Sequence, residues 1–130
     1  MSNLKLKEAI NLYKGIQELR ASKPVLDFNV WYELGKLFGA LKPAVESYEL
    51  KYNELIDECA EKDKHGKNKM LSLDPPMVSM KYPDKYVEGM KKLQAQIVPV
   101  KIVKIDKEEF KDVKMEGTDN MFTLFDHVIK

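Results

Sequence analysis

The chain has 130 residues, enough for one domain with a modest core, and a formal net charge of +1 that supplies no overall field to draw it to nucleic acid or an anionic membrane. With 44% hydrophobic and 33% charged residues it falls in the globular range, away from the composition of disordered chains. One cysteine, Cys59, excludes an internal disulfide and a cysteine-based zinc site; no apolar run approaches the ~18 residues that would cross a bilayer, and no signal-peptide core is expected at the start.

Residues 7–20 place Ala9, Ile10, Tyr13, Ile16 and Leu19 at three- and four-residue steps, which predicts a helix with one buried stripe. Pro24 ends it and biases Lys23 towards an extended conformation. Val25, Leu26 and Phe28 are expected to tuck under the next helix. That helix is the dominant feature, predicted over 29–62 with Asn29 as N-cap. Val30, Leu34, Leu37, Phe38, Leu41, Val45, Tyr48, Tyr52, Leu55, Ile56 and Cys59 keep helical spacing along it. Pro43 removes one backbone bond and pushes on the preceding turn, so a kink or a break is expected there. Gly35 and Gly39 lie in line with Pro43, a stripe of little bulk that either bends the helix or admits another backbone, from within the chain or from a second subunit.

After a polar turn over 61–69 with Gly66 at its reversal, residues 70–83 carry Asp74-Pro75-Pro76, Met77, Met80, Tyr82 and Pro83 without a sustained period. The prolines exclude a helix there, and a structured loop or an arm of two short strands is expected. Asp84 is predicted to cap a third helix running to residue 96, followed by a strand over 97–105, whose Pro99 suits an edge or a strand start. The candidate strand partners are 4–6, 70–73 and 113–115. Thr118 is predicted to cap a short last helix packed through Met121, Phe122, Phe125, Val128 and Ile129. Lys81, Lys85, Lys91, Lys92, Lys101 and Lys104 gather before an acidic tail of Asp106, Glu108, Glu109, Asp112, Glu116, Asp119 and Asp126, an asymmetry that would let neighbouring copies pair head to tail.

Candidate reactive groups read better as structure than as chemistry. Cys59 falls on the apolar face of the long helix, where a thiol behaves as a small hydrophobe and gains nothing from an N-terminal dipole. His65 sits in a lysine-rich turn that invites a small anion, but Glu61 and Asp63 interrupt the positive charge and no aromatic platform accompanies it. Asp126 and His127 are adjacent, and on a helix their side chains diverge by about 100°, a poor metal pair. The seven methionines include Met70, Met77, Met80 and Met90 around the proline-rich segment, where a flexible thioether suits an adaptable contact surface.

The sequence Leu-Lys-Leu-Lys-Glu-Ala-Ile-Asn-Leu (4–12), Lys-Pro-Val-Leu (23–26), Glu-Leu-Gly-Lys-Leu (33–37), Tyr-Asn-Glu-Leu-Ile (52–56) and Glu-Lys-Asp-Lys-His-Gly (61–66), followed by Val-Pro-Val-Lys-Ile-Val-Lys-Ile (98–105), resembles a family of small uncharacterised bacteriophage proteins. The resemblance covers most of the chain and implies a phage origin with no catalytic residue to carry over.

These readings predict a single α+β domain over 1–130, mainly helical. A long, Pro-kinked helix packs on two shorter helices, with a small sheet and a short C-terminal helix. The expected function is non-enzymatic: a bacteriophage structural or assembly protein acting through protein–protein contacts with other phage proteins or itself, in the host cytoplasm during infection and in the virion. The alternative is an early accessory protein that binds and inhibits a host enzyme or defence factor, its acidic helix and tail imitating nucleic acid. No catalytic, cofactor or metal residue is assigned, and neither nucleic acid nor membrane is an expected partner. The contact residues are Met77, Met80 and Tyr82, with Gly35 and Gly39 on the long helix.

Overall fold

In the computed structural model, which describes residues 2–113 and 118–130, strand β1 (Ser2–Lys5) turns directly into helix α1 (Leu6–Ala21), and the long helix α2 follows as Phe28–Cys59. Strands β2 (Met70–Leu73) and β3 (Pro76–Val78) form a hairpin, and helix α3 (Pro83–Gln94) leads into strand β4 (Ile97–Val100). A 3₁₀ turn (Lys107–Phe110) and helix α4 (Asp119–Val128) complete the order. The architecture is α+β and mainly helical, as the periodicity predicts. The candidate strand over 113–115 and the acidic residue Glu116 extend outside the described residues.

The chain divides into two compact units, Met1–Glu46 with Gln96–Lys130, and Ser47–Ala95. In the first, Ala9, Leu12, Ile16 and Leu19 of α1 join Val30, Leu34, Leu37 and Leu41 of α2, and Met121, Leu124, Phe125 and Val128 of α4, in one core. Each buried leucine contributes about 1.5–3 kcal/mol by leaving water. α1 and α4 approach closely at Gly15, where a Cβ would stand 2.9 Å from the Leu124 Cβ and collide with the Asn120 carbonyl. Glu18 ties the same two helices, accepting bonds from the Thr118 hydroxyl and from Asn120 Nδ2 at 3.3 Å. Thr118 caps α4 as predicted, its Oγ1 accepting the Met121 N–H at 3.4 Å. Tyr13 stacks on Phe38 at 4.2 Å with Arg20 over the far ring, and Phe110 meets Phe125 edge to face at 5.9 Å.

β1 pairs antiparallel with β4, Leu4 opposite Val98. Residues 101–104 lie outside the strand, and only Ile105 pairs again, through a parallel bridge to Ile129. The predicted strand over 97–105 therefore ends early: β1 offers four residues before the chain coils into α1, and a β-branched run without a partner cannot continue a ladder. The 70–73 segment pairs within its own hairpin.

Several boundaries differ from expectation for local reasons. α2 begins one residue before Asn29, with the Asp27 carbonyl accepting from Val30 and Trp31, so Asn29 is inside the first turn. Pro83 opens α3, which moves the cap back to Tyr82 and leaves Asp84 in the first turn. Lys23 is left-handed, φ 52°, instead of extended: its N–H closes the end of α1 on the Arg20 carbonyl, and that C-terminal closure outweighs the extended bias of a residue before proline. Val25 and Phe28 do not tuck under α2; they are 90% and 79% exposed, and only Leu26 is half-buried against the core. α2 continues through Pro43 without a break. Pro43 and Gly39 are both exposed, so the Gly39 carbonyl that loses its helix bond can be met by water.

In the second unit, the last part of α2 packs on α3 through Leu55, whose Cδ1 lies 2.8 Å from where a Cβ on Gly89 would stand. Tyr48 and Tyr52 stack at 5.8 Å, and Lys85 reaches Glu58 at 3.6 Å. The Cys59 carbonyl accepts from Lys81 at 2.8 Å and Tyr82 at 3.0 Å, which anchors the entry to α3 on the end of α2.

Candidate protein-contact site

The β2–β3 hairpin presents large apolar side chains to water. Ser72 faces Met77 and Leu73 faces Pro76, with a bulge between Met70 and Ser72 and a turn containing a cis Asp74–Pro75 bond. Leu71 and Leu73, two apart on one strand, are 69% and 80% exposed, and Met77 is 51% exposed. A two-stranded hairpin has little stability alone, so its base must be held. Glu61 does this: its N–H donates to the Ser79 carbonyl, its own carbonyl accepts from Lys69, and the Ser79 N–H returns to the Lys69 carbonyl, each at 2.8 Å. The Glu61 carboxylate also accepts from the Ser79 hydroxyl at 2.9 Å and pairs with Lys69 at 3.5 Å. The Ser79 bond and then the Lys69 charge hold this carboxyl below its ordinary range.

The contact residues expected from sequence separate into two kinds. Met77 and Tyr82 are exposed, the latter with Lys81 Nζ 5.5 Å from its ring. Met80 is half-buried and bridges to Ala60, so it belongs to the base of the hairpin. Leu71 and Leu73, which by residue type call for cover, are instead exposed with Met77 and Tyr82, and the Leu-Ser-Leu alternation beside Asp74-Pro75-Pro76 is the signal of a strand with one apolar face. Among the described residues Gly35 and Gly39 approach no other part of the chain: a Cβ at either would find no atom of another element within 4 Å. Among the described glycines the close approaches occur at Gly15 and Gly89 instead.

Cys59 is fully buried and free. In the turn over 61–69, Asp63 Oδ1 accepts the N–H groups of His65 at 2.8 Å and Lys67 at 3.0 Å, so the chain's own carboxylate occupies the amides an anion would use. His127 faces Glu8 at 3.5 Å, and Asp126 beside it in sequence is exposed. Tyr86 is pushed up to about 12 by burial and then by the neighbouring Tyr52 phenol, and burial raises Tyr48. These phenols are neutral packing groups near neutral pH.

In the first unit, Asp27, Glu33, Asp106 and Glu109 border a cavity of about 230 Å³ together with Lys104. Partial desolvation, then the Asp27 and Asp106 charges, push the Glu109 carboxyl above its ordinary range. Among the described residues no group of three or more His, Cys, Asp or Glu is placed to hold a metal ion, and no helix is long and apolar enough to cross a membrane. No family model, curated protein or solved structure is significantly similar to the chain.

Proposed function

We propose that the protein works by contact, as a structural or assembly component that docks onto a neighbouring phage protein through the β2–β3 hairpin. The observation that carries this reading is the exposure of Leu71, Leu73 and Met77 on an arm whose base is fixed by Glu61. Apolar side chains on a held strand cost solubility in the free chain and gain by burial against a partner. The phage setting comes from the sequence resemblance alone.

Quantitative mass spectrometry of purified particles tests the assignment: a fixed copy number supports it, and absence from particles overturns it. The same particles made with Leu73→Glu should lose the protein while the free variant keeps its fold. The acidic edge formed by Asp27, Asp106 and Glu109 favours one second reading, an accessory protein whose carboxylates imitate nucleic acid towards a host factor. Co-purification of a host nucleic-acid-binding protein, lost in high salt, would support that reading in place of the first.

A further inference from the structure

The outer face of α2 in the first unit carries two aromatic side chains where a surface helix ordinarily carries charge. Val30, Leu34, Leu37 and Leu41 are the buried stripe; at helical spacing, Phe28, Tyr32, Gly35, Gly39 and Pro43 fall on the opposite side. Phe28 and Tyr32 are 79% and 56% exposed and stacked on each other at 6.2 Å, with Lys36 Nζ 5.2 Å from the tyrosine ring. Gly35 and Gly39 have open space above them. A glycine in a helix costs about 0.8–1.0 kcal/mol relative to alanine. Among the described residues no neighbour calls for a glycine at either position, because an alanine methyl would meet no atom of another element within 4 Å.

We propose that this face is where two copies of the chain associate, their α2 helices antiparallel about a two-fold axis passing between Glu33 and Leu34. The decisive feature is self-complementarity. Phe28 and Gly39 lie equally far in sequence from that midpoint, and so do Tyr32 and Gly35. One rotation therefore seats Phe28 of each copy on Gly39 of the other, and Tyr32 on Gly35. A two-fold interface requires this mirrored order of knobs and gaps along one stripe. A parallel pair would set Phe28 against Phe28 and leave both gaps empty. Glycine lets a ring settle against the facing backbone, and a pre-stacked aromatic pair loses little freedom on docking. The proposal concerns the first unit and stands independently of the hairpin and of the phage setting.

The test uses the full chain, followed by sedimentation equilibrium from micromolar to millimolar concentration. The wild-type chain should show a reversible dimer. Gly39→Leu, which fills a gap without disturbing the monomer, should raise the dissociation constant at least about tenfold, and Tyr32→Ser, which removes a knob, should do the same; each tenfold corresponds to 1.4 kcal/mol. Register is read by cysteine pairing. Phe28→Cys mixed with Gly39→Cys should form a mixed disulfide readily, whereas Phe28→Cys alone should not, because its two copies would stand about 16 Å apart along the axis, beyond disulfide reach. Cys59, fully buried, does not compete. A chain that stays monomeric throughout overturns the proposal and leaves the face to a different partner. A dimer indifferent to Gly39→Leu and Tyr32→Ser, or Phe28→Cys pairing with itself as fast as with Gly39→Cys, overturns it equally.

Discussion

Gly15 on α1 lies directly against Leu124 on α4, so close that a Cβ on the glycine would stand 2.9 Å from the leucine Cβ. Side-chain-free contact of this kind sets how near two helices can pack. Gly15→Ala should therefore destabilise the protein by about 1–3 kcal/mol, because the Asn120 backbone must also move, outweighing the ~1 kcal/mol that alanine gains in a helix. Gly35→Ala supplies the contrast, with nothing in the way, and should stabilise by up to ~1 kcal/mol. Urea unfolding of both variants checks the pair, at protein concentrations low enough that association plays no part. Equal and positive shifts would show that the α1–α4 contact is looser than described.

Lys23 occupies a left-handed backbone conformation, φ 52°, at the end of α1. An L-residue there is disfavoured by roughly 1–2 kcal/mol, and glycine is not. Lys23→Gly loses part of that gain to the greater freedom of glycine in the unfolded chain. The net expectation is a stabilisation of about 1 kcal/mol or less, visible as a higher melting temperature. Lys23→Val, branched at Cβ, should lower it.

On the hairpin, Met77 and Met80 are three residues apart and face opposite demands. Met77→Glu places a charge in water and should leave thermal unfolding almost unchanged. Met80→Glu puts one beside the Ala60 bridge, with Ala60 itself buried, and should lower the melting temperature distinctly. Calorimetry on the two variants separates exposed arm from held base. Comparable losses would move Met77 into the core and remove the reason to regard the arm as a docking element.

The helices were legible because their apolar residues repeat at helical spacing over many turns, and the ends moved by only a few residues where a proline or a neighbouring carbonyl decided the cap. Strand content was less legible. The run from Ile97 to Ile105 has the composition of a strand throughout, yet pairing depends on the length of its partner, and β1 supplies four residues. Exposure was least legible of all. Phe28, Val25 and Leu73 look like core residues by type, and only the placement of the neighbouring stripe shows that they point outward. Gly15 gave a faint signal, a poor helix former in the middle of a well-patterned helix, whereas Gly35 and Gly39 drew notice through their alignment with Pro43.

Two glutamates should respond oppositely to pH. Glu61, held below its ordinary range by Ser79 and Lys69, favours folding when ionised; its contribution is present above the unfolded carboxyl range near 4.5 and is lost as pH falls through the lowered folded value. Glu109, pushed up by partial desolvation and by Asp27 and Asp106, favours folding when protonated; that preference is present below the same range and is lost as pH rises through the raised folded value. Glu61→Gln should therefore lower the melting temperature at neutral pH and approach wild type in acid. Glu109→Gln should raise it at neutral pH and converge with wild type in acid. Melting curves from acid to neutral pH for both variants decide the matter: shifts of the same sign at neutral pH would mean that one of the two carboxyls does not have the surroundings described.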